Sequence, residues 1–278
     1  MTEMTEVIPL IHAEASHLHA YLAGLDSTGW AAPSACSAWA VGDVVAHLTQ
    51  GARTWSASLT RAIAGDAGPP PGEQPLRPGE RGSEATAQRA ITFRQSMAPD
   101  ALLQAYAESY AQLQQVLESL TAAHWPLPCY HRRGAMVLGD YVGLRLQELI
   151  VHGWDMRSAG DAAARPSVPP AAVLLRMSQR WLSNTFRALP ELAAPVRYRF
   201  DITAPVPLQQ DVLVRQDGVN ITPATADAAD ATLRCTAGDY LLLVYGRLAL
   251  GQAVDAGRII ITGNRQQALL FPVLFQGL

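Results

Sequence analysis

Three residues of this chain carry donor groups that suit a divalent metal: His47, and further along the chain Glu148 and His152. Glu148 and His152 are four positions apart in a run that reads as a helix, so both side chains leave it on the same face. His47 lies in another predicted helix. Three protein ligands leave one coordination position open, which is typical of a catalytic metal site rather than a structural one. The spacing therefore suggests a metal site with chemistry at its open position.

The pairing of Glu148 and His152 does not by itself specify a metal, because such pairs are common on ordinary helices. In the alternative interpretation, Glu148 pairs with Arg145 on a solvated face and His152 lies near a helix end. The predicted helix also carries an unusually polar stripe beside its apolar one. This indicates that one face packs in the core and that the other lines a site or cavity. The polar stripe consists of Tyr141, Leu144 or Arg145, Glu148, His152 and Asp155.

Composition narrows the class of protein. The 278 residues are enough for two domains, and with 49% hydrophobic and 16% charged residues wholesale disorder is excluded. The net charge of −3, with no basic cluster, argues against nucleic acid as the main partner. No apolar run reaches the ~20 residues of a membrane span, and the first residues lack a secretory signal pattern. The three cysteines form no C-x-x-C motif. We therefore expect a cytoplasmic protein with neither membrane nor nucleic-acid partners.

The period of the apolar residues divides the chain into two parts. Helical periodicity predicts helices at about 5–25, 40–64, 83–97, 99–121, 137–158 and 170–188. A loop rich in proline and glycine, Gly65–Gly82, interrupts them, and we expect it to border the site. Beyond Pro195 the period changes to two, which predicts strands at 196–203, 211–215, 218–222, 230–235 and 258–262, with helices at 236–247 and 264–275. These patterns predict a helical domain over 1–165 and an α+β domain over 166–278.

Two segments resemble the mycothiol-dependent maleylpyruvate isomerase family of the DinB-like superfamily. Ser37–Leu48 looks like that family's W-x-V-x-D-V-x-x-H-L segment, and Glu148–Asp155 is similar to its E-x-x-x-H-x-W-D segment. Further on, the stretch from Ala231 through Tyr245-Gly-Arg247 to Asn264 resembles the family's second domain, which is like sterol carrier protein. The resemblance covers nearly the whole chain in the right order.

The resemblance implies a two-domain α + α/β fold: a DinB-like four-helix bundle followed by a small α+β domain of the SCP2-like type. It makes His47, Glu148 and His152 ligands of zinc (Zn2+) and mycothiol the thiol cosubstrate. The implied reaction is an isomerisation, in which the thiol adds to a cis double bond and leaves after rotation, or an S-transfer, in which the thiol stays. The implied partners are this thiol and a small electrophilic molecule, with the protein a monomer or homodimer.

Three further residues have two interpretations each. Arg81, after the Pro/Gly-rich loop, could meet an anionic substrate or be a solvated loop residue. Arg247 could act catalytically in a cleft between the domains or cap a helix end. Asp155 could orient a ligand histidine or solvate the end of its helix. The remaining histidines match no motif and are expected to be surface or structural residues; they are His12, His17, His19, His124 and His131.

Two other functions remain open from the sequence. The first keeps the metal without the thiol, as an isomerase, lyase or hydrolase that acts through bound water. The second is a binding protein whose C-terminal domain holds an apolar ligand while the metal site is vestigial. Metal content and a thiol titration distinguish these alternatives.

Overall fold

The computed structural model describes residues 2–36, 39–76, 83–189, 192 and 194–277. The chain separates into two compact units, Met1–Arg165 and Pro166–Leu278. Among the described residues, none of the helices combines the length and apolarity needed to cross a bilayer.

The N-terminal unit is a helical bundle, as predicted. Its helices are α1 (Thr2–Ala23), α2 (Ser27–Ala31), α3 (Val41–Ile63), α4 (Ser83–Gln95), α5 (Pro99–Glu118) and α6 (Leu138–Ser158), with a small hairpin of β1 (Pro128–Cys129) and β2 (Met136–Val137) before α6. Four long helices form the bundle, because α1 packs against α5 and α6, and α3 packs against the same two. The predicted apolar stripe of α3 is buried, which confirms it; the stripe comprises Val41, Val44, Val45 and Leu48.

The start of α3 is held by Asp43, the aspartate of the first motif. Its Oδ2 accepts a hydrogen bond from the backbone N–H of Ala40 at 3.0 Å, which satisfies a donor that the helix leaves unpaired. Its Oδ1 accepts from Nε of Arg94 in α4 at 2.9 Å. Asp43 therefore fixes both the beginning of the helix that carries His47 and the position of its neighbour.

The start of α6 is held by the segment around the hairpin. The backbone N–H of Leu138 donates to the carbonyl of Leu127 at 2.8 Å, and that of Gly139 donates to Trp125 at 3.1 Å. Further along α6, Gly153 lies against α1, since a Cβ at this position would lie 3.0 Å from Cδ2 of Leu18. The helix that supplies Glu148 and His152 is thus fixed at its start and packed closely along its length.

The C-terminal unit is an α+β domain, as predicted. It contains α7 (Ala171–Thr185), β3 (Val196–Ile202), β4 (Leu208–Arg215), β5 (Gly218–Pro223), β6 (Ala231–Cys235), α8 (Ala237–Val244), α9 (Leu250–Asp255), β7 (Ile259–Gly263) and α10 (Arg265–Leu274). The sheet order is β5-β4-β3-β6-β7, in which only β3 and β6 are parallel. Helix α7 packs on β5, and α10 packs on β6 and β7. Aromatic side chains fill much of the core, among them Tyr198, Phe200, Tyr240 and Phe271.

Short elements were the ones that the sequence did not predict correctly. The segment predicted as one helix over 236–247 ends at Val244, where Gly246 adopts a φ of +73°, and α9 follows separately. The region 26–39, predicted as a loop, contains α2, whose start is capped by Asp26 Oδ1 accepting from Gly29 N–H at 2.8 Å. A five-residue helix is too short to show a period, which is why the pattern did not reveal it.

Candidate metal centre

Helices α3 and α6 bring His47, Glu148 and His152 together inside the N-terminal unit. Nε2 of His47 lies 3.0 Å from Oε2 of Glu148, and Nε2 of His152 lies 3.5 Å from the same oxygen. One donor atom from each residue lies within 4.8 Å of the other two. The spacing of four residues on α6 places Glu148 and His152 on one face. The third donor, His47, comes from α3, which packs against α6.

The donor set fits a divalent metal. Zinc binds nitrogen and oxygen ligands at about 2.0–2.2 Å, so a tetrahedral arrangement places two ligand atoms roughly 3.3 Å apart. The separations of 3.0 and 3.5 Å agree with that spacing. Two imidazoles and one carboxylate also match the donor types of catalytic zinc sites, in which a fourth position is left for water or substrate.

Asp155 contacts the far side of the His152 ring. Its Oδ2 lies 3.0 Å from Nδ1 of His152, and the aspartate is fully buried. A carboxylate at this position favours the proton on Nδ1 and leaves the lone pair of Nε2 directed at the other donors. Cys36 lies close by, with its Sγ within 4.8 Å of donor atoms of both His152 and Asp155.

Trp39 forms an aromatic wall against both histidines. Its ring centroid lies 5.2 Å from that of His47 and 6.2 Å from that of His152. The two imidazoles are themselves nearly perpendicular, with centroids 5.1 Å apart. Trp39 belongs to the first motif, but the sequence indicated no role for it. Its ring therefore lies beside both imidazoles whose nitrogens face Glu148.

The three donors influence one another's protonation. Burial lowers the pKa of His47, and the hydrogen bond to Glu148 only partly opposes this. Burial alone would also lower the pKa of His152, but hydrogen bonds to Asp155 and Glu148 outweigh it and raise the pKa to about 9. Burial alone would raise the pKa of Glu148, yet its hydrogen bonds to the two histidines hold that pKa well below the usual range. Glu148 is therefore an ionised carboxylate at neutral pH.

A cavity of about 180 Å³ opens beside the donors. Trp55 and Tyr141 form part of its wall, with their rings stacked 4.5 Å apart and nearly parallel. The other side chains at the wall are mostly polar or charged, and include two arginines and two glutamates. These lining residues are His47, Gln50, Thr54, Glu73, Thr86, Arg89, Tyr130, His131, Arg132 and Glu148.

The segment Tyr130–Arg132 contributes functional groups that sequence reasoning missed. The hydroxyl of Tyr130 is buried and has no hydrogen-bond partner among the described residues. Arg132 donates to Oγ1 of Thr86. Burial, together with the neighbouring charge of Arg133, lowers the pKa of Arg132. His131, expected to be a surface or structural residue, lines the cavity instead. The run of one histidine and two arginines before α6 was the signal that could have identified this wall.

The alternative interpretation of Glu148 is wrong. Arg145 does not pair with Glu148 on a solvated face, because its side chain is 0% exposed and donates to the hydroxyl of Tyr110. Glu148 contacts His47 and His152 instead. The face of α6 that the polar stripe marked therefore points into the bundle.

Arg81 lies outside the described residues, as does the end of the Pro/Gly-rich loop. From Gly65 to Leu76 the loop has neither helix nor strand. Leu76 N–H donates to the carbonyl of Arg132 at 2.7 Å, so this part of the loop reaches the cavity wall.

Arg247 belongs to the C-terminal unit, where its backbone N–H donates to the carbonyl of Leu242 at 2.7 Å and its Nη1 donates to the carbonyl of Tyr245 at 3.4 Å. These bonds place it at the end of α8.

Both units are similar to known protein families. The model of the mycothiol maleylpyruvate isomerase N-terminal domain matches residues 11–157, just over half of the chain. The model of the SCP-2 sterol transfer family matches residues 181–276. A crystal structure of a point mutant of the mycothiol-dependent maleylpyruvate isomerase is similar with a TM-score of 0.60 and 16% identity, over 93% of this chain and 92% of that one.

A second crystal structure, of the mycothiol-dependent maleylpyruvate isomerase, is similar with a TM-score of 0.58 and 17% identity. That alignment covers 88% of this chain and 90% of the other. At these identities the two likenesses establish the shared fold. A comparison with curated proteins found no match.

Proposed function

The chain belongs to the mycothiol maleylpyruvate isomerase family, and we propose that it is a zinc-dependent enzyme that uses mycothiol to isomerise a small electrophilic substrate or to transfer the thiol to it. The observation that carries the proposal is the convergence of His47, Glu148 and His152 beside a cavity whose wall includes Arg89 and Arg132. Neither a structural metal nor an ordinary buried ion pair requires such a cavity.

The three donor residues would hold the metal, and their own contacts prepare them for it. Asp155 lies within hydrogen-bonding distance of the ring of His152, and the ring of Trp39 lies beside that of His47. When bound, a divalent zinc with two neutral imidazoles and one carboxylate keeps a net charge of +1 and would favour a thiol as its thiolate. The stacked rings of Trp55 and Tyr141 form an apolar part of the cavity wall.

The cavity wall supports a small anionic electrophile as the substrate. Arg132 and Arg89 both line the cavity, and the unpaired hydroxyl of Tyr130 offers a further donor. Guanidinium groups bind carboxylates through two parallel hydrogen bonds, which orients the bound molecule. Glu73 in the same wall would disfavour anions on its own side and so restrict the orientation. We propose Arg81 as an additional contact to the anion.

The second unit is proposed to complete the enzyme. We place the boundary between the domains at residues 165 and 166 and assign the SCP2-like domain a role in gripping the sugar part of the thiol, with Arg247 as a contact residue. The protein is proposed to act in the cytoplasm, as a monomer or homodimer.

The test combines metal content with thiol binding. Purified protein is expected to contain about one divalent metal per chain, measured by mass spectrometry of the metal. After substitution by cobalt, mycothiol is expected to produce an intense sulfur-to-metal charge-transfer band near the ultraviolet. Glutathione is expected to bind more weakly. Maleylpyruvate, offered with and without mycothiol, then tests isomerisation directly.

Two results would count against the proposal. Protein without metal, prepared without chelators, would reject the metal-dependent enzyme. Protein that holds metal but shows no spectral change at saturating thiol would favour an isomerase, lyase or hydrolase acting through bound water.

A further inference from the structure

Arg145 is a fully buried cation that no carboxylate neutralises in the described part of the chain. It lies on α6 three residues before Glu148, and its side chain is 0% exposed. Its Nη2 donates to the hydroxyl of Tyr110 and, at 3.5 Å, to the carbonyl of Leu48, the residue after His47. Its Nε and Nη1 find no acceptor among the described residues. Burying a charge in this way is costly, which makes a structural role alone a poor explanation.

Gly51 places the guanidinium directly behind the wall of the metal cavity. A Cβ at position 51 would lie only 2.6 Å from Nη1 of Arg145, so the guanidinium fills the space that a side chain there would need. Gly51 follows His47 by one helical turn on α3 and lines the cavity. Glycine weakens a helix interior, and at this position it permits the close approach of the charge.

Aromatic rings hold the charge without cancelling it. The guanidinium carbon lies 5.2 Å from the ring centroid of Trp55 and 5.3 Å from that of Tyr110. Trp55 stacks in turn on Tyr141, and both line the cavity. Cation–π contacts attract a guanidinium but leave its net charge in place, unlike an ion pair. A full positive charge therefore remains buried behind the cavity wall, three residues from Glu148 on α6 and one helical turn from His47 through Gly51 on α3.

We infer that Arg145 is an electrostatic positioning residue of the metal centre, whose charge strengthens the binding of an anion at the open metal position and weakens the binding of the metal itself. The inference rests on the proposed function and identifies how the same site selects a thiolate or carboxylate. The two effects have opposite signs because a fixed cation attracts an anion and repels a divalent cation, and low polarity enlarges both. Loss of a merely structural residue would instead weaken both kinds of binding.

The test measures two dissociation constants for the full-length protein at one pH. Metal affinity is measured by competition with a chelator, and anion affinity by titrating the cobalt-substituted protein with azide and recording its visible spectrum. For Arg145→Met we expect azide to bind about tenfold more weakly and the metal to bind at least about tenfold more tightly. Arg145→Lys keeps the charge and is expected to restore both constants toward those of the wild type.

Tyr110→Phe is the matched control, because it removes the hydrogen bond to the guanidinium and leaves the charge. Both constants are expected to stay within about threefold of wild type. If Arg145→Met does not fold, Arg145→Gln, which retains an N–H donor for Tyr110, is judged by the same criterion. If neither neutral variant folds, the charge is a requirement of the fold and the inference is rejected.

The remaining outcomes separate this inference from the proposed function. Metal and azide affinities that fall together in Arg145→Met, or that do not change, overturn the inference while leaving the proposed function intact. A wild-type protein that binds no metal overturns the proposed function and this inference with it.

Discussion

Nδ1 of His152 and Oδ2 of Asp155 lie 3.0 Å apart within one turn of α6, so the same helix supplies a metal donor and the group that orients it. Glu148 lies one turn earlier on the same helix, and only His47 comes from elsewhere. Three of the four residues are therefore positioned by the geometry of a single helix. The position of His47 relative to the other three depends on the packing of α3 against α6.

Asp155→Asn is expected to weaken metal binding by about 10- to 100-fold, because the residue that fixes the ring of His152 loses its charge while its shape is kept. Chelator competition measures the change. Asp161→Asn is a suitable control, since Asp161 is an exposed carboxylate just beyond α6. Equal metal affinity in Asp155→Asn and wild type would show that Asp155 does not act on His152.

His152→Ala is expected to lose the metal while the protein remains helical. The substitution removes one of three donors, and the remaining pair cannot close a stable site. Metal content and far-ultraviolet circular dichroism give the two readouts. His124→Ala is the control, because His124 is only half-buried and its ring accepts a hydrogen bond from the N–H of Thr121 in its own turn. Full metal occupancy in His152→Ala would reject the donor assignment.

The loop Gly65–Gly82 is expected to affect substrate binding more than stability. Its described part reaches the cavity through Glu73, which accepts from Oγ1 of Thr54 at 3.3 Å, and through Leu76. Replacing the loop with a short Gly/Ser linker should raise KM with a smaller effect on Tm, because proline gives the native loop a stiff, extended path. A collapse of Tm with unchanged kinetics would mean that the loop is structural.

Gly51→Ala and Gly251→Ala make a pair with opposite expected signs. At Gly51 the added methyl meets the guanidinium of Arg145, and we expect a loss of about 1–3 kcal/mol in the free energy of unfolding. At Gly251, in α9, nothing lies within 4 Å of the added methyl, so alanine should stabilise the helix by up to about 1 kcal/mol. Urea unfolding measures both. Equal effects at the two sites would show that Arg145 moves aside without cost.

Much of the fold was predictable because the relevant forces are local. The buried stripe of α3 and the alternation of β3 are periodic in the sequence, and periodicity reflects which face is buried. His47, Glu148 and His152 were identified for a similar reason, since helical spacing and a family motif both mark them.

The surroundings of the site were not predictable in the same way. Arginine is rarely fully buried, so the alternative interpretation placed Arg145 on a solvated face, and only its tertiary contact with Gly51 shows why it fits inside. Tyr130 and Arg132 reach the cavity from an irregular segment whose path no local pattern specifies. Contacts between residues far apart in sequence decide the chemistry of this wall.

The stability of the C-terminal unit is expected to depend on pH through Asp211. Burial alone would raise the pKa of this carboxyl, but hydrogen bonds from Arg199, at 2.7 and 2.9 Å, and from the N–H of Thr225 outweigh burial and lower the pKa. Because the pKa is lower in the folded state, the carboxylate contributes stability above its unfolded pKa, and this contribution is lost as the pH falls through the folded pKa.

Asp211→Asn is therefore expected to reduce the free energy of unfolding by about 2 kcal/mol at pH 7, and by less at pH 3, where the wild type has itself begun to lose the interaction. Urea unfolding at the two pH values, followed by a probe in the C-terminal unit, measures the difference. Asp227→Asn is the matched control, because Asp227 pairs with Arg197 of the same cluster but is 67% exposed, and exposed pairs contribute little. If Asp211→Asn loses the same free energy of unfolding at both pH values, the loss comes from the poorer fit of the amide in this site. In that case the charge of Asp211 does not stabilise the sheet.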